Sequence, residues 1–95
     1  MEEIITDYLH YLLIERGLSQ NTRQSYRRDL MQYLAYLKEH QIDSWQMVDR
    51  YMVLGFLQSL QQGGKSSATV ARMISSLRRF HQYLRQERYT DHDPM

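Results

Sequence analysis

SSATVARMISSLRRFHQYLRQE, residues 66–87, decides the fold. Val70, Met73, Ile74, Leu77, Phe80, His81 and Leu84 recur at the i, i+3, i+4, i+7 spacing that aligns side chains on one face of a 3.6-residue helix. The spacing predicts an amphipathic helix with that stripe buried. At about 100° per residue, Arg72, Ser75, Arg79 and Gln82 fall opposite Leu77, with Ala68 and Ala71 beside them toward the helix start. No acid occurs between Lys65 and Gln86. Small residues beside arginines let a helix backbone approach a surface while the long side chains reach past it, which suits a phosphate-lined groove. On this helix alone, an ordinary solvated basic face accounts for the same pattern.

Residues 19–40 repeat the design. Ser19 is an N-cap, because its hydroxyl can accept from free amides of the first turn, and Tyr26, Leu30, Tyr33, Leu34 and Leu37 give the buried stripe. The opposite face of the first half reads Asn21, Gln24, Ser25, Arg28 and Gln32, free of acid until the flanking Asp29. Near a helix N-terminus such donors add to free backbone amides and a positive dipole, all favourable to phosphate. Ser19, Thr22, Tyr26, Leu30, Tyr33 and Leu37 align with Ser66, Thr69, Met73, Leu77, Phe80 and Leu84 at a constant offset of 47. Amphipathic helices match easily, so this is weak evidence of duplication, but both polar faces can be presented by one bundle surface.

The remaining chain supplies packing elements. Ile5, Tyr8, Leu9 and Leu12 form a stripe in a helix over 2–16, with Glu2, Glu3 and Asp7 at the favourable end of its dipole and Gly17 ending it. Tyr11, Leu13 and Ile14 widen its apolar surface, as either a broad core-facing arc or a contact with a neighbouring subunit. Ile42, Trp45 and Val48 are expected against the core, with Trp45 a plug rather than a base-stacking platform. Asp49 caps a third helix whose stripe is Val53, Phe56, Leu57 and Leu60, and Gly63-Gly64 ends it. The tail from Thr90 has no periodicity and reads as solvated. The fold class is therefore all-α: a compact bundle of four main helices at about 2–16, 19–40, 49–62 and 66–88.

Ninety-five residues make one small domain. The net charge of +1 hides segregation: residues 1–15 carry −4, 16–28 carry +4, 29–64 carry −2, 65–86 carry +5, and the tail from Glu87 carries −2. Zero cysteines exclude a disulfide framework and a thiolate metal site. No apolar run approaches the about 20 residues of a membrane span, and the acidic start is unlike a signal peptide. The expectation is a soluble, cytoplasmic protein with no membrane partner.

No nucleophile with a base, metal constellation or phosphate loop is found, so no catalytic residue, metal or cofactor is assigned. Asp91-His92-Asp93 lies in the tail with no further ligand nearby in sequence, and His81 on the apolar stripe reads as a core or boundary histidine. Gly63-Gly64-Lys65-Ser66 lacks the first glycine of a phosphate loop at the needed spacing, and no strand precedes it.

Tyr8-Leu9-His10-Tyr11-Leu12, Glu15-Arg16-Gly17-Leu18-Ser19, Asn21-Thr22 and Tyr26-Arg27-Arg28-Asp29-Leu30 stand in the first half. Ala71-Arg72, Ser75, Leu77-Arg78-Arg79-Phe80-His81, Tyr83-Leu84 and Asp93-Pro94 follow in the second. Together they resemble the N-terminal core-binding, SAM-like domain of tyrosine recombinases, most closely the Xer-type chromosome-dimer resolvases of bacteria. The resemblance covers essentially the whole chain. It implies a four-helix DNA clamp over 1–95 whose second and fourth helices enter adjacent major grooves. It further implies a catalytic domain beyond Met95, where a tyrosine nucleophile forms a phosphotyrosine intermediate, leaving this chain noncatalytic. The partners implied are a double-stranded DNA half-site and other recombinase subunits in a tetramer on DNA, at the bacterial nucleoid, with the fragment monomeric without DNA. Tyr11, Leu13 and Ile14 are then the protomer contact. The expected DNA-binding residues are Asn21, Thr22, Gln24, Ser25, Arg28, Lys65, Ser67, Thr69, Arg72, Ser75, Arg78 and Arg79. A phage or transposon integrase arm is the alternative within the family, and a helical module docking an acidic protein is the alternative outside it.

Overall fold

Four helices and one short turn account for the secondary structure of residues 1–95, all of which the computed structural model describes: α1 (Glu2–Arg16), α2 (Gln20–Glu39), a 3₁₀ turn at Trp45–Met47, α3 (Arg50–Gln62) and α4 (Ser67–Gln86). Their ends are set by local chemistry. Ser19 Oγ accepts from the Thr22 amide at 3.2 Å, and Ser66 Oγ accepts from the Thr69 amide at 3.2 Å. Each serine also donates to the threonine hydroxyl at 3.0 Å. Asp49 caps α3 through the Met52 amide at 3.0 Å.

The C-terminal ends of α2 and α4 match as well. Gln41 and Arg88 take left-handed backbone conformations, with φ of 64° and 63°. Beyond them, the Ile42 amide donates to Leu37 O at 3.0 Å and the Tyr89 amide to Leu84 O at 2.8 Å, closing both helices with the same reversed bond. The offset of 47 read from the stripes thus holds at both ends of the two helices.

Twenty buried apolar residues form one core, to which α2 contributes Leu30, Tyr33, Leu34 and Leu37, and α4 contributes Val70, Met73, Leu77, Phe80 and Leu84. The two 20-residue helices are its centre. From α1, the Tyr8 ring meets Phe80 at 5.2 Å and Tyr83 at 5.0 Å between centroids. From α3, Phe56 packs on Tyr33 at 5.0 Å. Gly55 permits this approach of α3 to α2, since a Cβ there would lie 2.6 Å from the Tyr36 hydroxyl. Trp45 closes the core against Phe80 at 4.8 Å and donates from Nε1 to the Met1 carbonyl, the plug expected of it.

The tail is only partly solvated, and here the structure corrects the sequence reading: Asp91 and Asp93 are exposed, but the chain around them folds back on the core. Thr90 and Pro94 are buried, and Met95 packs against the core. His92 Nε2 lies 2.7 Å from the Val48 carbonyl, the Asp91 amide donates to Gln46 Oε1, and Arg85 donates to the Asp91 carbonyl. Side-chain to backbone bonds of this kind leave no periodic signature in a sequence. No helix is long and apolar enough to cross a membrane.

Candidate nucleic-acid interface

Asp29 meets Arg72 across the seam between α2 and α4, and farther along both helices Tyr33 meets His81. This docking brings the two basic N-terminal halves together. Between them lies a groove of about 520 Å³ lined by Thr22, Ser25, Tyr26 and Arg28 from α2 and Arg72, Ser75, Ser76 and Arg79 from α4. The stripes explain the placement: Leu30 and Tyr33, with Met73 and Leu77, turn inward and leave the polar faces toward the seam.

Arg72 is not a free cation. Its guanidinium faces both oxygens of Asp29, at 2.5 Å and 3.3 Å, in a fork. The carboxylate is 6% exposed and the arginine side chain 53% exposed. Arg28 and Arg79 are exposed and form no ion pair, so the groove keeps an excess of positive charge. A groove presenting guanidiniums and hydroxyls is suited to hold an anionic surface.

Of the residues expected from sequence, Thr22, Ser25, Arg28, Arg72, Ser75 and Arg79 come together here. Gln24 lies in a neighbouring groove between α1 and α2 with His10, Arg23 and Arg27, where Glu2 pairs with Arg27 at 3.2 Å. Asn21 and Ser67 are exposed in the first turns of α2 and α4, and Thr69 is engaged by its Ser66 cap. Lys65 borders a depression with Gln32, Tyr36 and Gly63, and Arg78 is exposed outside the α2/α4 groove. On α1, Tyr11 is half-buried against Tyr83 at 5.1 Å, whereas Leu13 is 41% and Ile14 80% exposed.

Sequence reasoning left out Asp29, Tyr26 and Ser76. Asp29 carried a signal, a lone acid inside a basic helical face, but nothing local says which arginine it meets. The stripe spacing assigns Tyr26 wholly to packing, whereas it is half-buried and lines the groove. No cluster of three or more metal-ligating side chains exists, and Asp91 and His92 pair with each other at 3.3 Å.

Residues 5–88 match the model of the family described as phage integrase, N-terminal SAM-like domain. The chain belongs to that family. This integrase SAM-like domain is 50% identical over 95 residues to a tyrosine recombinase XerD of Oceanobacillus iheyensis, covering 99% of the chain and 32% of the relative. It is 44% identical over 94 residues to the XerD of Staphylococcus aureus strain Mu50, again covering 99% of the chain and 32% of that protein. The SAM-like domain therefore spans about a third of the length of the curated relatives it matches, and their catalytic part lies outside the matched third. No solved structure matches it.

Proposed function

We propose that residues 1–95 form one DNA-binding domain, which holds a duplex half-site in the groove between α2 and α4 as the N-terminal arm of a site-specific tyrosine recombinase. The observation that carries this reading is the meeting of the two basic faces at one seam, with Arg28 and Arg79 unpaired, on a chain whose net charge is only +1. Arg28 and Arg79 serve as phosphate ligands, and Thr22, Ser25 and Ser75 give shorter hydrogen bonds. Asn21, Gln24, Ser67, Thr69, Lys65 and Arg78 flank the groove and extend the contact along the backbone.

By relation to XerD, the whole protein cuts and rejoins DNA through a phosphotyrosine in its catalytic part and acts in chromosome-dimer resolution, in the bacterial cytoplasm at the nucleoid. Its partners are recombinase subunits of the XerC/XerD type in a tetramer on DNA. The exposed Leu13 and Ile14, with the edge of Tyr11, give α1 an apolar surface fitted to such a subunit.

Titration of the chain with a duplex of mixed sequence at two salt concentrations tests the reading. Binding that weakens steeply with salt is expected. Absence of binding at low salt would overturn it in favour of a helical module that docks an acidic protein.

A further inference from the structure

We infer that Asp29 is a positioning residue that converts Arg72 from a phosphate counter-ion into a directional reader of a base edge, with guanine as the base that fits. The inference rests on the DNA-binding reading above.

A carboxylate as buried as Asp29 needs a charged or hydrogen-bonded partner, and Arg72 supplies both. Two nitrogen–oxygen contacts, rather than one, fix the plane of the guanidinium and not merely its position. The ion pair has two opposed effects on DNA contact. It offsets the arginine's charge, which weakens its attraction to phosphate. It also immobilises a half-exposed guanidinium whose Nε–H and remaining Nη–H groups, on the edge turned away from Asp29, stay free to donate as a second fork, which strengthens any contact that depends on direction. Arg28 and Arg79 lack such a partner and keep the opposite character, a full charge that no carboxylate offsets or orients. Ser75 and Ser76 beside Arg72 are short, so a groove floor can approach this part of α4 closely. The major-groove edge of guanine carries the two adjacent acceptors that a guanidinium fork matches.

Duplexes selected from a randomised library by the wild-type chain, Asp29→Asn and Arg72→Lys test this, with affinity for mixed-sequence duplex measured in parallel at two salt concentrations. The wild type is expected to enrich a guanine that both variants lose. Arg72→Lys keeps the charge and the carboxylate partner but has no fork, so the guanine should disappear from the duplexes it selects. Asp29→Asn should bind mixed-sequence duplex several-fold more tightly, with a salt slope steeper by about one, because the released guanidinium can neutralise a phosphate. Circular dichroism checks that each variant is folded, and should Asp29→Asn unfold, Arg72→Lys alone carries the test. Retention of the guanine by folded Arg72→Lys, or parallel loss of preference and mixed-sequence affinity in folded Asp29→Asn, would overturn the positioning role while leaving DNA binding standing. Failure of the wild type to bind any duplex at low salt would instead overturn the DNA-binding reading itself.

Discussion

The Tyr33 hydroxyl on α2 lies 2.8 Å from Nε2 of His81 on α4, and both side chains are sealed inside the core. The other ring nitrogen, Nδ1, is buried with no hydrogen-bond partner. The histidine therefore has one satisfied nitrogen, and a second proton would have to be carried in an apolar setting.

Burial pushes the His81 pKa down to about 4, with nearby Asp93 opposing the shift. Folded protein keeps His81 neutral where unfolded chain takes up a proton. Its contribution is thus complete above the ordinary value near 6.5 and is lost as pH falls from there toward 4, by up to about 3 kcal/mol. His92 works in the opposite sense: its bond to the Val48 carbonyl raises its pKa, so its contribution is present at low pH and fades as pH rises through the raised folded value. The buried group is expected to dominate. Thermal unfolding at pH 4.5 and 7.5 should show the acid loss in wild type and a much smaller one in His81→Gln; equal losses would refute the assignment.

Arg72→Ala should destabilise the fold as well as weaken DNA binding, because it leaves the buried Asp29 carboxylate without its partner. Since the arginine is half-exposed, the expected cost is about 1–2 kcal/mol, or roughly 4–8 °C of Tm per kcal/mol for a domain of this size. Adding Asp29→Asn should recover part of that loss. A double variant no more stable than Arg72→Ala would show that the pair contributes little.

Arg28 and Arg79 carry no such structural duty. Arg28→Ala and Arg79→Ala should each lower the slope of log affinity against log salt by about one, with Tm nearly unchanged. Slopes identical to wild type in both variants would place the DNA elsewhere on the domain.

The matched caps of α2 and α4 predict matched energetics. Ser19→Ala and Ser66→Ala should each cost about 1 kcal/mol of stability. Gln41→Gly and Arg88→Gly, which relieve the two left-handed positions, should each gain up to about 1 kcal/mol. Denaturant midpoints of the four variants give the comparison, and a glycine variant that loses stability would mean that the side chain it removed does more than tolerate its backbone angle.

The helices were legible in the sequence because their causes are local. Ser19, Asp49 and Ser66 lie within three residues of the amides they cap, Gly17 ends α1 through its own left-handed backbone, and each stripe repeats within a turn or two. The meeting of Thr22, Ser25 and Arg28 with Arg72, Ser75 and Arg79 was legible only as an expectation, since equal helix designs do not say that the helices are neighbours. The packing of the tail is not legible, because His92 reaches a carbonyl 44 positions away, a relation with no periodicity to betray it.

The sequence by itself determined four amphipathic helices, their boundaries, the faces they bury, and two basic faces of one design. Those features follow from the helical repeat and from capping groups a few residues apart. The tertiary structure alone decided that the two faces share a groove and that Asp29 claims Arg72 while Arg28 and Arg79 stay unpaired. A contact across 43 positions depends on how α2 and α4 cross, and the packing of Tyr33, Phe80 and His81 in the core sets that crossing.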